Sequence, residues 1–196
     1  GNYQGIHIYD TCYQWHPGGG IYVLENPADP LEKHRIHPVI DAKTEETLGE
    51  GMYFDPDLSF GAKKILFCFK GEPEGSSCIY EIGIDGTGLR QITNPRADYL
   101  PCEDDGAIKS VYHGRHGSLG AAQDLTPAYL PDGQILTVEK DPTRIKVYDA
   151  NGKNAQQISG VEELVKGCSF IPCATDNQGN IYLAANTKGY IVKCTK

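Results

Sequence analysis

A chain of 196 residues with a net charge of −8 and 39% hydrophobic residues can build one ordinary domain or a few stacked repeats. The acidic balance, without a basic stripe interleaved with aromatics, argues against a phosphate-neutralising nucleic-acid binder. No apolar run approaches the roughly 20 residues of a membrane-spanning helix.

The chain opens GNYQGIHIYD, without the charged start and apolar core of a signal peptide, so its first residues do not fix its compartment. Three strands are expected before Asp41: Ile6–Tyr9, Ile21–Glu25 after the Gly18-Gly19-Gly20 turn, and His34–Ile40. Pro17, Pro27, Pro30 and Pro38 confine their neighbours to turns or edges.

The stretch Gly51–Asn94 is the most regular part of the chain. Gly51–Phe54 reads as a strand that ends in a turn-rich Asp55-Pro56-Asp57-Leu58-Ser59. Ile65–Phe69 and Cys78–Ile84 follow, then the turn Asp85-Gly86-Thr87-Gly88 and a last strand, Leu89–Thr93. Four short strands in about 44 residues is the size of one propeller blade.

Residues 94–123 break the pattern with a polar, Gly-rich segment that has one candidate strand at Ile108–Tyr112. Loops of that length inside a compact domain are usually functional or else disordered. The repeat resumes with Asp124–Leu130, the Pro131-Asp132-Gly133 turn, Gln134–Glu139, Arg144–Tyr148 and Ala155–Ile158. Val161–Lys166 has room for a turn or two of helix. Cys168–Ala174, Asn180–Ala184 and Tyr190–Lys193 complete a last unit.

The expected fold is all-β, a β-propeller-type array of about four four-stranded blades in one domain, 1–196. Its blade-like units span about 1–50, 51–94, 124–160 and 161–196, with an inserted loop at 94–123. A larger ring, or one completed by further chains including copies of this one, is an alternative.

These residues carry a resemblance. DPDLSFGAKKILFCF with CIYEIGIDGTGLRQIT resembles the propeller repeat of TolB-like proteins, and more closely the propeller region of hydrazine-synthase alpha-subunit-like proteins, a large secreted group. LTPAYLPDGQIL and GGGIYVLENP extend that resemblance, while RIKVYDANGKNAQQIS with DNQGNIYLAANTKGYIVK is similar to NHL-type repeats. It implies a binding or scaffolding module of a larger secreted bacterial protein or complex, with other chains of that complex as partners and a periplasmic or extracellular setting. The alternative it implies is the propeller subunit of a metal-dependent redox enzyme. The Cys-x-x-Cys-His motif of c-type haem is missing from this chain; its nearest spacing is Cys168 to Cys173.

The inserted loop holds the best candidate for chemistry. Cys102, His113 and His116, with Glu103, Asp104, Asp105, Tyr112 and Arg115 near them, are ligand types suited to a divalent metal such as zinc. His34 and His37 have the spacing of His113 and His116 but fall in a strand, where such positions face opposite sides. His7 and His16 flank Trp15 and read as packing or surface residues. The odd count of seven cysteines leaves disulfide pairing open, and Cys168 and Cys173 read as small buried hydrophobes.

The Asp-containing turns lack the EF-hand pattern and read as self-bonded turns. A lactonase-type hydrolase would need Asp55, Asp57, Glu103, Asp124 and Asp176 to converge around an ion.

Overall fold

The computed structural model describes residues 17–72, 76–93, 123–140, 144–166, 168, 171–185 and 187–195. The expected strand Ile6–Tyr9, with His7, Cys12 and His16, and the inserted loop as far as residue 122 lie outside these residues.

Four antiparallel sheets follow one another along the chain. The first pairs β1 (Gly20–Glu25) with β2 (Arg35–Asp41). The second is a meander of β3 (Met52–Leu58), β4 (Lys64–Lys70), β5 (Cys78–Gly83) and β6 (Arg90–Gln91). The third repeats it with β7 (Gln123–Tyr129), β8 (Ile135–Lys140), β9 (Arg144–Tyr148) and β10 (Gln156–Gln157). A single helical turn, α1 (Glu162–Val165), leads to the fourth sheet of β11 (Cys173–Thr175), β12 (Ile181–Ala185) and β13 (Tyr190–Cys194).

Strand alternation explains the stacking. Successive side chains on a strand point to opposite faces, and both faces of the second and third sheets are apolar. Ile65, Phe67 and Phe69 meet Ile21, Val39 and Ile40 of the first sheet. Their neighbours Leu66 and Cys68, with Ile79 and Ile92, meet Tyr129, Ile135 and Tyr148 of the third. Leu136, Val138 and Ile145 then meet Ile181, Leu183 and Ala185 of the fourth. Each such side chain contributes about 1.5–3 kcal/mol by burial. Sheets packed face to face in chain order make a propeller-like all-β fold.

Gly51 shows how tight the first seam is. A Cβ there would stand 2.4 Å from the Phe69 ring, which itself lies edge-on to Tyr53 at 4.8 Å.

Two expectations need correction. Asp55-Pro56-Asp57 is not a turn, because β3 runs through it on a bulge between Phe54 and Asp57. Proline fits there since the bulged position owes no ladder N–H. The last unit's first strand begins at Cys173 rather than Cys168, which instead packs in the core between the third and fourth sheets.

Candidate functional site

The two bulges set up a polar seam along the leading strands. Asp55 and Thr126 occupy equivalent positions in β3 and β7, each followed by proline, with φ of 49° and 45°. Each bulge interrupts the pairing with the next strand, between Leu125 and Ala128 in the case of β7. Backbone groups beside such a bulge need partners elsewhere. The neighbouring sheets supply them by side chain.

Asp57 Oδ2 accepts the Tyr129 N–H at 2.8 Å, and Asp55 accepts the Thr126 N–H. From the other side, Cys173 Sγ donates to the Thr126 carbonyl at 2.7 Å and Thr175 Oγ1 donates to the Tyr129 carbonyl. Burial pushes the Asp55 and Asp57 carboxyls up, each offset in part by its backbone donor. Burial also pushes the Cys173 thiol up to about 12, so it stays protonated and unreactive.

Glu81, on β5, anchors a second polar group. Its carboxylate is 5% exposed and accepts Lys64 Nζ at 2.9 Å, Arg90 Nε at 2.8 Å and Tyr129 Oη at 2.9 Å. Burial acts to raise the carboxyl, but the hydrogen bonds from Arg90, Lys64 and Tyr129 outweigh it and hold Glu81 below its usual range. Arg90 also donates to the Ala150 carbonyl at 2.8 Å, tying β6 to a turn of the third sheet. In the third sheet, Glu139 is fully buried, bonded to Arg144 and 3.4 Å from Lys146 Nζ. Asp124, its cross-strand neighbour, is buried beside it. Sequence reasoning missed Glu81, because its partners Arg90 and Tyr129 come from other strands and no local motif marks it.

The Asp turns hold their own backbone. Asp149 accepts the N–H groups of Asn151 and Lys153, and Asp176 accepts those of Gln178 and Asn180 together with the Tyr182 hydroxyl. These donors, the Asn180 side chain first, hold Asp176 down to about 2. Among the described residues no group of three or more His, Cys, Asp or Glu is placed to hold a metal ion. The expected ligands Cys102, His113 and His116 lie outside those residues, as does Glu103. His34 bonds the Asp29 carbonyl at 2.9 Å, while His37 lies 3.8 Å from Glu25, so the two do not share a site.

Among the described residues, a concave feature suited to a ligand lies between the third and fourth sheets. It is a groove of about 290 Å³ whose apolar lining includes Leu130, Val147, Ile158 and Ile181, with Gln134, Gln156 and Gln157 among its polar lining and Cys194 beside them. β13 borders it and forms the last strand of a sheet ordered β11-β12-β13, so its outer edge carries no strand among the described residues. No described helix is long and apolar enough to cross a membrane.

No family model matches the sequence, and no curated protein does. Among solved structures the chain is similar to TolB from Acinetobacter baumannii, at 14% identity and a TM-score of 0.41, over 94% of this chain and 53% of that one. It is also similar to an oligogalacturonate lyase in complex with manganese, at 12% identity and a TM-score of 0.44, over 85% of this chain and 40% of that one. The chain therefore spans about half the length of the first and two fifths of the second.

Proposed function

We propose that the chain is a propeller-type binding module that holds an extended segment of a protein partner, in the setting of a larger secreted assembly. The observation that carries this reading is the groove of about 290 Å³ between the third and fourth sheets, with an apolar floor and glutamine amides in its lining. Its volume is at the small end of ligand pockets and accommodates a few side chains, while the amides can fix a backbone. The described carboxylates and thiol of the leading-strand seam support the same reading. Asp55, Asp57 and Cys173 are bonded to the backbone of the third sheet and act as struts between sheets. The periplasm or cell exterior is the placement that goes with the resemblance to secreted propeller proteins.

A peptide-display selection on the immobilised chain tests this. Selected peptides should lose at least about tenfold in affinity on the Ile158→Arg variant, whose charge would enter the groove. Peptides that bind wild type and variant equally would remove the groove from the function.

A further inference from the structure

The turn that closes the seam between the second and third sheets carries chemistry of its own, separate from the groove. We infer that Asn151 is a site of spontaneous ammonia loss: the Gly152 nitrogen attacks the Asn151 amide when the turn opens, and the isoaspartate that results keeps the seam from closing again.

Asn151-Gly152 is the one Asn-Gly pair in the sequence. An asparagine amide can be attacked by the nitrogen of the next residue, an intramolecular step whose reacting groups are already joined. Glycine in that following position has no Cβ to obstruct it. The asparagines differ in what holds them. Asn26 donates to the Lys33 carbonyl, Asn154 to Asp149 and Asn180 to Asp176. Asn177 is followed by glutamine. Asn151 is exposed, and its side chain makes no hydrogen bond among the described residues. Asp85-Gly86 and Asp132-Gly133 have the same glycine, but a carboxylate is a far poorer electrophile than an amide, and each accepts an N–H from two residues on.

The step balances without a redox partner. Solvent base takes the Gly152 N–H proton, the nitrogen bonds to Asn151 Cγ, and the Cγ–Nδ2 bond breaks with Nδ2 leaving as ammonia. Water then opens the five-membered ring. Addition at Cγ gives aspartate. Addition at the main-chain carbonyl carbon gives isoaspartate, whose chain runs through Cβ and Cγ and is longer by one atom.

The fold gates the first step. The Gly152 N–H donates to the Asp149 carbonyl at 2.8 Å, and the Asp149 N–H donates to the Lys153 carbonyl at 2.9 Å. Asp149 Oδ1 accepts the Asn151 and Lys153 N–H groups. While these bonds hold, the attacking nitrogen is engaged and the chain around it is fixed. Arg90 pins the turn from the second sheet by donating to the Ala150 carbonyl at 2.8 Å. Gly152 also lies so close to Ile92 that a Cβ would stand 3.2 Å from it. A close-packed contact does not absorb an inserted atom without displacement. The closed seam therefore protects Asn151, and reaction at Asn151 removes the turn that closes the seam.

The test follows folded wild type at mildly alkaline pH beside a free peptide of residues 147–158, with isoaspartate located by peptide mapping. The folded chain should convert at residue 151 about tenfold more slowly than the peptide. Ile92→Val, which loosens the contact and keeps the sheet folded, should speed conversion about threefold. Asn151→Gln should leave no isoaspartate there. In converted protein, amide exchange at Gly152 and Lys153 should be faster than in fresh protein. Asn151→Asp, with the charge but not the extra atom, should keep most of that protection. Absence of isoaspartate at residue 151 once the peptide has converted overturns the inference. So does conversion of folded chain and peptide at one rate, which would mean that the turn guards nothing. Equal loss of protection in Asn151→Asp also overturns it, by assigning the effect to charge.

Discussion

The seam between the second and third sheets and the seam between the third and fourth are built from the same repeat, yet only the first is sealed. In the sealed seam, Ile92 at the end of the fourth strand is buried under Gly152, where a Cβ would stand 3.2 Å from it. Arg90 bridges to Ala150 in the same turn, and Glu81 gathers donors from both sheets. In the other seam the counterpart isoleucine, Ile158, lines a groove of about 290 Å³. Tyr148 and Cys194 hold the same register position, but only Tyr148 is followed by a described turn and strand. A seam between sheets is therefore closed at its outer end by the strand and turn that follow the third strand. Between the third and fourth sheets the corresponding place is a groove of about 290 Å³.

The largest effect should come from the isoleucine pair. Ile92→Ala should cost about 3 kcal/mol in denaturant unfolding and Ile158→Ala about 1 kcal/mol, since the groove already leaves Ile158 without full packing. Equal losses would mean that the two seams are packed alike. Next, Glu81→Gln should cost about 2 kcal/mol near neutral pH by weakening its bonds to Arg90, Lys64 and Tyr129. Because the folded carboxyl titrates below its unfolded value of about 4.3, this stability is present above that value and is lost as pH falls through the folded one. The stability difference from wild type should shrink in acid, and a difference constant with pH would remove the ion pairs from the account.

Gly152→Ala should follow at about 1 kcal/mol, because φ is 73° and the new methyl would press on Ile92. Pairing it with Ile92→Ala in a double-mutant cycle tests that contact, and purely additive losses would show that the turn does not seal the seam. The smallest effect is at Asp55, whose carboxyl burial holds above the usual range. A raised folded pKa gives stability that is present below the unfolded value and lost as pH rises through the folded one. Asp55→Asn should therefore gain relative to wild type toward neutral pH and lose that gain in acid, as read from thermal unfolding at several pH values.

Much of the second and third sheets was legible because their signals are local. Alternation over Cys78–Gly83 and the turns at Asp85-Gly86 and Pro131-Asp132-Gly133 fix strands and breaks within a few residues. Asp55-Pro56-Asp57 misled for the same reason. Local chemistry there reads as a turn, and what keeps the strand going is the Tyr129 N–H, which reaches Asp57 from another sheet. The expected site at Cys102, His113 and His116 drew on ligand chemistry in a segment outside the described residues. The groove drew no attention, since its lining comes from Leu130, Val147, Ile158, Ile181 and Cys194, which no single stretch brings together.

By itself the sequence determined an all-β repeat, the alternation that makes both faces of its central sheets apolar, and the Asp turns that punctuate it. These depend on period-two patterning and on residues that bond their own backbone, and both are short-range. Tertiary structure alone decided that Asp57 and Cys173 serve as struts, that Glu81 is held by donors from two sheets, and that a groove lies between the third and fourth sheets. Those outcomes depend on which sheet lies next to which, and distances between sheets follow from packing rather than from spacing along the chain.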